Sequence, residues 1–206
     1  MKVVQIVKKL NNTELGKGGT HDTYVLIPND LDITDVFDKQ NTPIDFTDKF
    51  TGEKVTVRNT VGREKRIVGL GQYYRNKDLF AGDEIIFEKE VSNSQNRYFV
   101  YTKKYTDNLV IQKSKYGFEI LTSDRLKRFK ENTSLMDADV DIEHLKSEKK
   151  RNDSPEKTDF YDVKIAGKSL MDQYSGKEVV EIQIKDNKIF VSGFYGWKKY
   201  VFETEE

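Results

Sequence analysis

What most limits the fold of this chain is the brevity of its connections. Short apolar or alternating runs recur throughout, and the segments between them are too brief for crossover helices, so neighbouring strands must pair antiparallel. The clearest run is Lys54-Val-Thr-Val-Arg58: Val55 and Val57 face a core, while Lys54, Thr56 and Arg58 share the outer face. Further strands are expected at 3–7, 24–27, 64–69, 84–88, 97–103, 109–112 and 118–121. Short helices are expected at 72–77 and at 123–130, the second capped by Ser123. The pattern predicts a mainly β chain forming an open or pseudo-closed antiparallel barrel.

Two segments stand out from this frame. Asn59-Thr60-Val61-Gly62 joins two strands into a hairpin whose tip gathers Arg58, Arg63, Lys65 and Arg66. Such cations can simply solvate an edge strand and protect it from aggregation, but a protruding cluster also suits an anionic partner. The other segment, 11–23, is polar and glycine-rich, which lets a backbone approach a ligand closely. Charge is segregated although the net charge is +0: residues 52–78 hold seven Lys or Arg against three acids, and residues 29–49 hold six Asp against two Lys. One basic face steers an anion onto one side. In the acidic stretch, Val36, Phe37, Ile44, Phe46 and Phe50 are the apolar anchors.

Composition excludes several chemistries. Charged residues make up 34% of the chain, but 12% aromatics suffice for a core, so it folds. With no cysteine, there are no disulfides, thiolate chemistry or Cys-ligated zinc. No apolar run is long enough to span a membrane and no signal peptide is visible, so a cytoplasmic location is expected. Asp137, Asp139, Asp141 and Glu148 take calcium-loop positions, but Ile142 stands where the loop needs Gly. Asp162-Val-Lys164 is an acid-x-Lys triplet that, with Glu156 or Asp153, is a weak candidate for Mg²⁺-dependent cleavage. No metal site or cofactor is expected.

Three regions are expected: a barrel at 1–132, a charged linker at 133–157, and a small β-meander subdomain at 158–206 with strands at 160–165, 178–184, 188–192 and 199–202. Phe190, Phe194, Tyr195, Trp197, Tyr200 and Phe202 are expected to form a small core packing that meander onto the barrel, in preference to a base-stacking platform.

Thr20-His21-Asp22-Thr23-Tyr24 runs into a strand ending in Ile27-Pro28. The cationic hairpin follows, and Arg66 to Asp83 reads as a strand, a short helix and an Ala81-Gly82-Asp83 turn before Ile86-Phe87. This order resembles the DNA-binding pseudobarrel family, the plant B3 domains and their bacterial relatives such as the EcoRII effector and BfiI recognition domains, with the restriction-enzyme branch favoured. The resemblance covers about residues 1–105 and leaves the tail unexplained.

It implies a seven-stranded open pseudobarrel whose two arms clamp double-stranded DNA from the major groove. The first arm offers Lys17, Thr20, His21, Asp22 and Thr23; the second offers Arg58, Asn59, Thr60, Arg63 and Arg66. Arg suits guanine, Asn adenine, and Asp the cytosine amino group, while Lys17, Lys54, Lys65 and Arg75 suit phosphates. Family modules of this kind serve a separate nuclease or nucleotide-driven motor, so the chain itself is not expected to be an enzyme. Cleavage by the chain and protein interaction are the alternatives.

Overall fold

The computed structural model describes residues 1–17, 21–93, 95–150, 152, 155–194 and 196–203. The chain forms two compact units, Met1–Lys104 with the C-terminal strand, and Tyr105–Phe194. The first holds β1 (Lys2–Lys9), β2 (Val25–Ile27), β3 (Pro43–Asp48), β4 (Lys54–Val61), β5 (Lys65–Val68), α1 (Gly71–Lys77), β6 (Glu84–Val91) and β7 (Asn96–Lys103). The second holds β8 (Asn108–Ser114), β9 (Gly117–Ile120), α2 (Leu126–Leu135), β10 (Val140–Lys149), β11 (Lys157–Ile165), β12 (Lys168–Ser169), β13 (Val179–Lys185) and β14 (Lys188–Gly193). Strand β15 (Trp197–Glu203) belongs to the first unit.

As the strand pattern predicts, the protein is mainly β. The first unit is an open sheet ordered β15-β1-β6-β7-β3-β4-β5-β2, antiparallel except where β3 runs parallel to β7. Its two edge strands are drawn together by side chains: the Trp197 indole N–H donates to the Leu26 carbonyl at 2.8 Å. Lys199 donates to the Asp32 carbonyl at 3.1 Å and pairs with Asp35 at 2.5 Å. The sheet therefore curls into a pseudobarrel without a closing backbone ladder. Inside, Phe46 lies 5.5–5.6 Å from the rings of Phe37, Phe87 and Tyr98, in tilted and edge-on contacts.

Eight strands replace the expected seven, because β15 pairs with β1 from Lys2↔Glu203 to Lys8↔Trp197. The expected boundary at 132 falls instead after Lys104, and the expected subdomain 158–206 is divided between the two units. The aromatic tail is divided in the same way: Trp197 packs on the barrel core, Phe190 lies half-exposed on β14, and Tyr195 lies outside the described residues. The stretch 133–157 is no linker. β10 pairs with β11 from Val140↔Ile165 to Lys149↔Lys157, and its charges are matched across the hairpin by Lys164–Glu143 and Lys150–Glu156. Phe50 is no anchor either; it is 77% exposed at the β3–β4 turn, edge-on to Tyr101. Ser123 makes no side-chain cap; a 3-10 turn, Ser123–Arg125, precedes α2.

The second unit is a sheet ordered β10-β11-β9-β8-β13-β14, with β12 beside β11. Phe118, Phe129, Val163 and Val180 centre its core.

Candidate nucleic-acid interface

The first arm is a closed excursion. The buried Glu14 carboxylate accepts the N–H of Leu26 at 3.0 Å and of Asn11 at 3.2 Å, and Lys8 lies 3.5 Å away. Burial pushes the Glu14 carboxyl up, against the pull of Lys8 and these two donors. A single bridge, Leu15↔Thr23, then closes the neck of the loop. Gly16 turns the chain there at φ +70, where a Cβ would sit 3.0 Å from the His21 carbonyl oxygen. His21, Asp22 and Lys17 are exposed beyond the neck; Thr20 lies outside the described residues.

The second arm is the β4–β5 hairpin, in register Arg58↔Val68, Thr60↔Arg66 and Val61↔Lys65. Residues directly opposed in an antiparallel pair share a face. Lys54, Arg58, Thr60 and Arg66 therefore lie on the outer face, and Arg63 is exposed at the tip. Asn59 and Lys65 do not join them. Asn59 is buried opposite Ile67, its Oδ1 without a hydrogen-bond partner, and with Lys65 it lines a cleft of about 270 Å³ bordered by Asp30 and Asp32.

Arg66 ties the arms together. Its guanidinium lies 4.1 Å over the ring of Tyr24, the residue that follows the first arm, and it pairs with Glu64 at 2.6 Å. The Thr60 hydroxyl donates to the Arg66 carbonyl at 3.1 Å. Tyr24 had no place among the expected site residues; an aromatic directly after a glycine-rich arm was the available signal.

Helix α1 packs against the first arm. A Cβ on Gly71 would meet Thr23 Oγ1 at 2.9 Å, so a side chain there would have to displace the Thr23 hydroxyl. The other end of α1 is held by Asp48, which accepts the Tyr73 hydroxyl at 2.5 Å and pairs with Lys77 at 2.8 Å. Burial raises the Asp48 carboxyl, but Lys77, Tyr73 and the N–H groups of Thr51 and Phe50 outweigh it and hold it well below the usual carboxylate range. Lys17, His21, Thr23 and Arg75 thereby converge on one cleft of about 420 Å³, shared with Gly71, Tyr74 and Asp78. Lys17 is anchored, donating to the Leu79 carbonyl at 2.8 Å with its ammonium 3.9 Å over Phe80. Arg75 reaches Gln72 Oε1 at 2.9 Å.

The acid-x-Lys triplet lies on β11, in the second unit. Lys164 stands between Glu143, at 3.1 Å, and Asp162, at 3.6 Å, and Asp162 also accepts the Ser169 hydroxyl at 2.6 Å. Glu156 pairs with Lys150 instead, and Asp153 lies outside the described residues. Among the described residues no group of three or more His, Cys, Asp or Glu is placed to hold a metal ion. Nor is any described helix long and apolar enough to cross a membrane. A Ser147–His144–Asp159 cluster occurs on β10 and β11, but the same ring nitrogen, Nε2, faces both Ser147 at 3.3 Å and Asp159 at 3.4 Å. A hydrolytic triad needs the two on opposite nitrogens.

No family model and no curated protein matches the chain. Among solved structures, the N-terminal domain of Helicobacter pylori LlaJI.R1 is similar to it with 17% identity, over 48% of this chain and 80% of that one, at a TM-score of 0.33.

Proposed function

We propose that the first unit is a sequence-specific double-stranded DNA recognition module, the target-recognition part of a restriction endonuclease system. The observation that carries this reading is the outer face of the second arm. Lys54, Arg58, Thr60 and Arg66 line one side of a two-stranded ribbon with Arg63 at its tip, and Lys17, His21, Thr23 and Arg75 ring the adjoining cleft. A two-stranded ribbon fits the major groove. Arg58, Arg63 and Arg66 are the base-reading candidates there, with His21, Asp22 and Thr23 from the first arm; Lys54, Lys17 and Arg75 hold phosphates. Asn59 and Lys65, turned to the other side of the hairpin, drop out of the contact set. Cleavage or strand movement belongs to another domain or subunit.

The test is selection of bound duplexes from a random pool, followed by titration of the winner at two salt concentrations with Mg²⁺ present. A short consensus, a steep salt slope and uncut DNA are expected. Absence of enrichment would return the hairpin to a protein-contact role. A second reading, cleavage by this chain, draws on the side-by-side placement of Glu143, Asp162 and Lys164. Uncut DNA, or cutting that survives Asp162→Ala, rules it out.

A further inference from the structure

β15 is an edge of the eight-stranded sheet, and between Lys199 and Glu203 it is apolar where edge strands are ordinarily guarded by charge or proline. Tyr200, Val201 and Phe202 follow one another with 41%, 48% and 48% of their surfaces exposed. The rings of Tyr200 and Phe202 are stacked 6.2 Å apart on one face. The start of the strand is already committed, Trp197 to the Leu26 carbonyl and Lys199 to Asp32 and Asp35. The uncovered apolar stretch is thus confined to the second half of the strand.

We propose that this edge pairs with the same edge of a second copy of the chain, antiparallel about a two-fold axis through Val201. The sequence of the edge selects that partner and that register. With Val201 facing the partner's Val201, Tyr200 faces the partner's Phe202 and Lys199 faces the partner's Glu203. Aromatic and opposite-charge pairs are the cross-strand pairs that stabilise a ladder. Lys199 already meets Asp35, so its charge is shared between two carboxylates. Moving the axis to Tyr200 sets Val201 against the partner's Lys199; moving it to Phe202 sets Val201 against the partner's Glu203. Over residues 199–203 only the Val201 axis matches apolar to apolar and plus to minus, and it is centred on the exposed half. An unrelated strand would have no reason to meet this pattern.

The chain contains no cysteine, so a single introduced one reports position. Sedimentation of the full chain is expected to show a concentration-dependent dimer. Val201→Cys is expected to yield a covalent dimer on mild oxidation, because opposed Cα atoms of an antiparallel pair lie about 4.5–5.5 Å apart, within disulfide reach. Leu135→Cys, 87% exposed in the second unit, is the control and should form no covalent dimer under the same oxidation. Val201→Lys places two like charges on the axis and should raise the dimer dissociation constant by about tenfold or more, with an unchanged circular dichroism spectrum. A chain that sediments as a monomer up to its solubility limit overturns the proposal. So does a dimer indifferent to Val201→Lys, or one in which Leu135→Cys cross-links as readily as Val201→Cys.

Discussion

The Arg66 guanidinium lies over the Tyr24 ring at 4.1 Å, fastening β5 of the second arm to the foot of the first. Tyr24→Leu removes the ring and leaves the Arg66–Glu64 pair in place. A loss of about 0.5–1 kcal/mol in duplex affinity is expected, the scale of an exposed cation–π contact. Fluorescence anisotropy titration of a selected duplex checks it, and an unchanged affinity would mean that Arg66 is not positioned by Tyr24.

Asp48 anchors α1 through Tyr73 and Lys77. Its carboxyl titrates below its ordinary value of 3.8 in the folded protein. The stability it supplies is therefore complete above that value and is lost as pH falls through the lower folded value. Asp48→Asn leaves Lys77 without its buried partner and should cost about 2–4 kcal/mol at neutral pH. Urea melts should show the gap between wild type and Asp48→Asn closing as pH drops below about 3.8.

Gly69 sits at φ +98 between β5 and α1, where a Cβ would fall 2.4 Å from the Thr56 carbonyl oxygen. Both the conformation and the backbone contact exclude a side chain. Gly69→Ala should lower stability by about 2 kcal/mol or more, read as a shifted denaturant midpoint. A neutral substitution would show that the joint between strand and helix adjusts freely.

Asn59 has a buried Oδ1 with no hydrogen-bond partner, opposite Ile67 on the inner face of β4. Asn59→Val extends the row of Val55 and Val57 and should be neutral or stabilising by about 1 kcal/mol, since an unsatisfied buried acceptor is removed. Duplex affinity should not change. A large loss of binding would return Asn59 to the contact surface.

The strand class and the arms were legible because alternation and glycine placement are local signals. Val55 and Val57 alternate with Lys54, Thr56 and Arg58, and burial follows that alternation. The same period carried two residues further assigns Asn59 to the inner face, although it adjoins the cations of the hairpin in sequence. β3 is not legible as a strand because Pro43-Ile-Asp-Phe-Thr-Asp48 carries only Ile44 and Phe46 as large apolar residues inside an acidic stretch. β10 was hidden for a related reason: an edge strand with one solvated face and cross-strand ion pairs is, residue by residue, indistinguishable from a charged linker. The return of β15 to β1 joins the two ends of the chain, a pairing that no local pattern encodes. The place of Asp35 follows from it, since Asp35 serves Lys199 and Lys2.

The most direct test of recognition by the outer face of the second arm is the specificity ratio, the affinity for a selected duplex against that for a scrambled one, in Arg58→Ala and Lys54→Ala. Arg58→Ala is expected to lose about 1–3 kcal/mol on the selected duplex and far less on the scrambled one. Lys54→Ala is expected to weaken both alike and to reduce the salt slope by about one. Equal losses on both duplexes for Arg58→Ala would contradict base reading by this face and leave only a charged surface that attracts phosphate.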